Sequence, residues 1–186
     1  NLSDVTLGES VEVIGINAFR NTAISTINIP DSVTTIGSSA FAQNSSLSEI
    51  NLSANAQSIG SNAFAGTGIS QITLPDTLTR INGNLFDGTP LTNIVIPENV
   101  SYIGAGAFRN TDLTSLTVPS LVTTIGTDAF MNVPLTSLTI DASNISFGQD
   151  AFYGLCNTLE TVSINTITIP RCVLYQRIQA SQNRIA

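Results

Sequence analysis

Val100-Ser101-Tyr102-Ile103-Gly104-Ala105-Gly106-Ala107-Phe108, continuing through Arg109-Asn110-Thr111-Asp112-Leu113-Thr114-Ser115-Leu116-Thr117-Val118-Pro119, is the stretch that decides the fold. Its first part reads Val-x-x-Ile-Gly-x-x-Ala-Phe and its second Leu-x-x-Leu-x-Val-Pro. Leu116-Thr117-Val118 alternates at strand period with β-branched residues. Pro119 lacks an N–H and ends a backbone ladder at that point. The same phrase recurs along the chain. Phenylalanines stand at 19, 41, 64, 86, 108, 130 and 152, each 22 or 23 residues after the last, and all but Phe86 follow an alanine. A fixed period of this size means a solenoid, in which each repeat buries its apolar face against its neighbours.

Working outward from the fifth repeat, main strands are expected near Val5, Ile27, Ile50, Ile72, Ile94, Leu116, Leu138 and Val162. Stacked one per repeat, they make a parallel sheet with ~4.8 Å between neighbours. Val-x-x-Ile-Gly predicts a second, shorter strand on the opposite side. Its glycine (Gly15, Gly37, Gly60, Gly104, Gly126, Gly148) is expected to turn the chain with positive φ. Asn82 holds that place in the fourth repeat, and Asn tolerates such a conformation next best. Ala-Phe is expected on a short helical or 3₁₀ turn, with Phe filling the coil. The fold class is thus a mostly β repeat solenoid with one parallel sheet along one face, and short second strands and short turns on the other.

Val-x-x-Ile-Gly-x-x-Ala-Phe followed by Leu-x-x-Ile-x-Ile-Pro resembles the BspA-type, or Treponema-type, leucine-rich repeat, over residues 2 to about 170. The resemblance implies a right-handed leucine-rich-repeat coil. It also implies a surface or secreted protein that adheres to host matrix or to other cells. Many repeats of that family carry a Cys after Ala-Phe-x-x. Here only Cys156 lies near that place, one residue late, so no thiol ladder exists.

The composition narrows the chemistry. Charged residues are 10% of the chain, with no Lys, His or Trp, and the net charge is −7 with six arginines. A chain with no basic footprint does not suit nucleic acid, and no apolar run approaches the ~20 residues that span a bilayer. Without His or Lys, Ser-His or Cys-His nucleophilic catalysis and Schiff-base chemistry are excluded within the chain. Two thiolates without histidine do not close a structural zinc tetrahedron. Asp76 and Glu98 occupy one column in neighbouring repeats, each just after a proline, and read as turn residues rather than as a catalytic or calcium-binding pair. No cofactor is expected. The Asn-x-Ser/Thr triplets at Asn1, Asn44, Asn51, Asn99 and Asn144 arise at about the rate that chance gives in so Asn- and Ser-rich a chain.

The chain opens Asn1-Leu2-Ser3-Asp4 with Val5, Leu7, Val11 and Ile14 already in the pattern, which suggests a start in mid-repeat of a longer protein. Residues 1–170 are assigned to about seven solenoid repeats. Residues 171–186 are assigned to a C-terminal cap, with Leu174, Ile178 and Ile185 at helical spacing. Cys156 and Cys172 are candidates for a disulfide in an oxidising compartment, with two buried free thiols as the other reading.

What remains for function is the outward side of the main strands. Asn28, Asn51, Gln71, Thr73, Asn93, Ser115, Thr117, Ser137 and Thr139 form a grid of small hydroxyls and amides. Such a grid suits an extended protein or glycan held by many weak hydrogen bonds, and it equally suits plain solvent-facing strands. The expected function is a non-catalytic, extracellular adhesion or protein-binding module with its ligand over this face. The alternative is a structural spacer or a self-assembling surface-layer or filament component.

Overall fold

The computed structural model describes residues 2–155, Thr158, and the strands Thr161–Ile164 and Ile167–Thr168. It is a solenoid of mostly β character, each turn one repeat of the sequence. Numbering repeats by their phenylalanine, Phe19 to Phe152 mark the first to the seventh. Each ring stacks on the next, at centroid separations from 5.3 to 5.9 Å and interplanar angles of 7–19°. Phe41, Phe64, Phe86, Phe108 and Phe130 are wholly buried. Around this column lie the Ile, Leu and Val of the repeat, in a single continuous core.

Three rows of backbone run the length of the coil. The first is made by the Ala-Phe segments. Ala18 N–H donates to Gly15 O and Arg20 N–H to Asn17 O, which are i→i+3 turn bonds, yet no helix propagates. The reason lies in two left-handed residues per repeat, two before and two after each Phe: Asn17 and Asn21, Ser39 and Gln43, Asn62 and Gly66, through to Asp150 and Gly154. Asn, Asp and Gly accept positive φ most readily. The alternation points every second N–H along the solenoid axis, so that Asn17, Phe19 and Asn21 donate to Ser38, Ala40 and Ala42 of the next repeat. Three such bonds cross each of the six junctions between successive Phe turns, without a gap. The expected short helical turn is therefore a hydrogen-bonded turn ladder.

The second row holds the short strands β1 (Val13–Ile14), β3 (Thr35–Ile36) and β5 (Ser58–Ile59) in one parallel sheet. It continues with β6 (Arg80–Ile81), β7 (Tyr102–Ile103), β9 (Thr124–Ile125) and β11 (Ser146–Phe147) in another. The glycines after these strands do not have positive φ, contrary to the sequence expectation. Gly37, Gly60, Gly104, Gly126 and Gly148 are small because the preceding repeat leaves no room, whereas a Cβ on Gly15 at the first turn would meet nothing. A Cβ on Gly126 would stand 2.4 Å from Ala105 N, and one on Gly60 2.4 Å from Ser38 N. Asn82 fills the equivalent place just where β5 and β6 fail to pair. Its Nδ2 donates to Ile59 O at 2.6 Å, the carbonyl that a backbone N–H takes elsewhere, as Gly126 N–H does with Ile103 O.

The third row is the main-strand face. β2 (Thr26–Asn28) pairs with β4 (Glu49–Asn51) in parallel. β8 (Ser115–Val118), β10 (Ser137–Ile140) and β12 (Thr161–Ile164) form a second parallel set, closed by the antiparallel β13 (Ile167–Thr168). Main strands expected at Val5, Ile72 and Ile94 are absent from this row. Beyond β12 the chain reverses direction, since β13 runs antiparallel along it. The cap assigned to 171–186 and the pair Cys156 and Cys172 lie outside the described residues.

Candidate functional site

Local sequence places the grid. Alternation puts Ile27, Ile50, Ile94, Leu116 and Leu138 into the core, so their neighbours on either side face out. Asn28, Asn51, Gln71, Thr73, Asn93, Ser115 and Thr117 are exposed, while Ser137 and Thr139 are half-buried. The register aligns them into columns: Asn28 beside Asn51, Ser115 beside Ser137, and Thr117 beside Thr139. Val95 belongs to the same columns and is 78% exposed, the most exposed large apolar side chain among the described residues.

The middle of this face is not a closed sheet. Numbering the main-strand segments of this face as rows by their repeat, the third and fourth rows (71–74 and 93–96) keep one tie, Thr92 N–H to Ser70 O at 3.0 Å, reinforced by the Thr92 hydroxyl. The backbone groups of residues 71–74 and 93–96 make no hydrogen bond to any described residue. Junctions between rows two and three, three and four, and four and five are thus open, while the turn ladder and the Phe column pass beneath them unbroken.

Shallow depressions lie at these same junctions. One group runs between the Glu49–Asn51 row and Gln71-Ile72-Thr73, and extends to Asp76 beyond Pro75. A second lies between Thr73 and Val95, reaching the core residues Leu74 and Ile94. A third lies between Asn93-Val95 and Thr117-Thr139, with Glu98 at its edge. Of the nine grid residues, all but Asn28 line one of them. The sequence pattern found the grid, but it missed the open junctions, Val95 as their exposed apolar centre, and the role of Asn82.

The charges divide by face. Glu49, Asp76 and Glu98 border the depressions. The described arginines lie elsewhere: Arg20 and Arg109 follow Phe on the turn ladder, and Arg80 is in β6, with its guanidinium 4.0 Å over the Tyr102 ring. Arg109 forms a bidentate pair with Asp87 of the preceding repeat. That hydrogen bonding raises the Arg109 pKa above its ordinary value, against a smaller opposing effect of desolvation. Among the described residues, no three His, Cys, Asp or Glu side chains group as metal ligands, and no helix is long and apolar enough to cross a membrane. Asn44, one of the Asn-x-Ser positions, is fully buried and holds Thr22 N–H, Phe19 O and Phe41 O.

The BspA type leucine-rich repeat region matches in six copies over residues 1–90 and 79–179. The chain belongs to this family. Its structure resembles that of a leucine-rich repeat protein from Bacteroides ovatus, with a TM-score of 0.80 and 26% identity, over 89% of this chain and 44% of that one. It also resembles the leucine-rich repeat protein of T. pallidum, with a TM-score of 0.76 and 26% identity, over 91% of this chain and 76% of that one. A leucine-rich cell surface protein from Faecalibacterium prausnitzii shares the fold at 24% identity and a TM-score of 0.51, over 89% of this chain and 47% of that one. The chain thus spans less than half the length of the Bacteroides protein. The comparison with curated proteins gives no match. Leucine-rich repeats of this family are in general protein-binding scaffolds.

Proposed function

We propose that the chain is a non-catalytic protein-binding module of a cell-surface or secreted adhesin, and that its partner docks over the main-strand face. One observation carries this reading. The exposed columns from Asn51 to Thr117 coincide with contiguous depressions in which backbone and side-chain polar groups face solvent together. A regular grid of short side chains loses little rotamer entropy on contact, which favours many weak hydrogen bonds spread over a large area. The general protein-binding character of the family and its typical association with bacterial surfaces support the same reading.

The test is binding of the purified chain to a panel of immobilised extracellular-matrix and cell-surface proteins. Any binding found should be abolished by Thr73→Arg with Thr117→Arg, whose long charged side chains cover the central rows. It should survive Ser58→Arg in β5, exposed on the short-strand side of the coil. Binding that persists in the Thr73/Thr117 variant with unchanged circular dichroism would reject the strand face.

A further inference from the structure

The open junctions carry information about the partner. A backbone amide or carbonyl with no intramolecular bond must be satisfied by water or by a ligand. Besides the unpaired segment around Val5 at the first turn, such groups occupy two adjacent rows, 71–74 and 93–96, in the middle of the candidate face. The rows cannot separate far enough to admit a whole strand. The turn ladder and the stacked Phe64, Phe86 and Phe108 fix the spacing beneath them, with ring centroids 5.7 and 5.6 Å apart. Only thin, hydrogen-bonding groups can enter from the face.

The surroundings select among such groups. Glu49, Asp76 and Glu98 border the depressions, and no described cation lies on this face. Asn99 Nδ2 donates to Asp76 O at 3.0 Å and ties the Asp76 loop to the next repeat. A face of one sign draws an oppositely charged partner and repels anions. Exposed Val95, flanked by Thr73 and Thr117, offers an apolar rest for an aliphatic stem whose charged head continues to the acidic border.

We propose that the open junctions receive an extended, positively charged peptide segment, whose Lys or Arg side chains and main-chain groups satisfy residues 71–74 and 93–96 while its charge is matched by Glu49, Asp76 and Glu98. The inference rests on the strand face being the binding surface and adds the partner's chemistry. Rows two to five span about 15 Å, which about five extended residues cover.

The experiment is an amide-resolved NMR titration of the chain with three probes. They are a twelve-residue Arg-Thr alternating peptide, its Glu-Thr counterpart, and a neutral chito-oligosaccharide. The Arg peptide is expected to shift the amides of 71–74 and 93–96. Its affinity should fall about three- to tenfold in Asp76→Asn with Glu98→Gln, and not in Asp128→Asn on the turn ladder. No binding of the Arg peptide, largest shifts outside rows two to five, or tighter binding of the oligosaccharide would overturn the inference. Equal affinity for the Arg and Glu peptides at these same amides would also overturn it, while leaving the strand-face reading intact. The strand-face reading itself falls on the Thr73/Thr117 variant above.

Discussion

Gly126→Ala tests the packing logic of the second row at one atom. The added Cβ would stand 2.4 Å from Ala105 N and 2.7 Å from Gly104 C. Both are backbone atoms of the adjoining repeat, so no side-chain rotation relieves the contact. The repeat must move away, as it has done where Asn82 replaces the glycine and β5 no longer pairs with β6. The bonds at risk are Gly126 N–H to Ile103 O at 2.8 Å, Thr123 N–H to Ser101 O at 2.9 Å, and the β7–β9 pairing between them. At a net ~1 kcal/mol each, opening that ladder costs about 2–3 kcal/mol. Gly126→Asn should cost about 1 kcal/mol less, because its amide can take the Ile103 carbonyl as Asn82 takes that of Ile59. Urea unfolding gives the totals, and amide hydrogen exchange at residues 124–126 localises the opening. A Gly126→Ala protein within about 0.5 kcal/mol of the parent, with those amides still protected, would refute the close-approach argument.

Three further outcomes follow from neighbouring features. Phe108→Ala should lose about 5 kcal/mol, a buried-phenylalanine cavity plus stacking on two rings, whereas Phe19→Ala, half-buried with one ring neighbour, should lose about 2 kcal/mol in the same urea assay. Gln43→Gly should gain about 1 kcal/mol and Gly66→Ala lose about 1 kcal/mol, since both positions are left-handed and differ only in which residue bears the strain. Asn44→Ala, which strands one N–H and two carbonyls, should cost about 3 kcal/mol by thermal or urea unfolding, and Asn44→Thr about 1 kcal/mol less because a threonine there can still reach Phe41 O, as Thr67 reaches Phe64 O.

The phenylalanine period made the solenoid legible, because a core column must repeat with the coil and nothing else in the chain does so as regularly. Alternation around Leu116 and Leu138 likewise sufficed to assign the outward residues. Three features escaped the pattern for physical reasons. The glycine after the short strand was read as a torsional residue, whereas its requirement is a close approach between repeats, set by the preceding repeat's backbone and invisible within one repeat. The paired Asn, Asp and Gly positions on either side of Phe were visible as composition, but a left-handed alternation that ladders between repeats has no signature in hydrophobic period. Finally, Ile72 and Ile94 carry the same strand pattern as Leu116. Whether rows pair depends on the distance between neighbouring repeats, which the pattern within one repeat does not carry.

That contrast supplies the most direct test. Amide hydrogen exchange of the free chain should find residues 71–74 and 93–96 exchanging rapidly, while Phe64 and Phe86, which donate along the turn ladder, exchange slowly in the same repeats. Protection at 71–74 and 93–96 equal to that of residues 115–118 would mean a closed sheet, and would remove the open face on which the binding account depends.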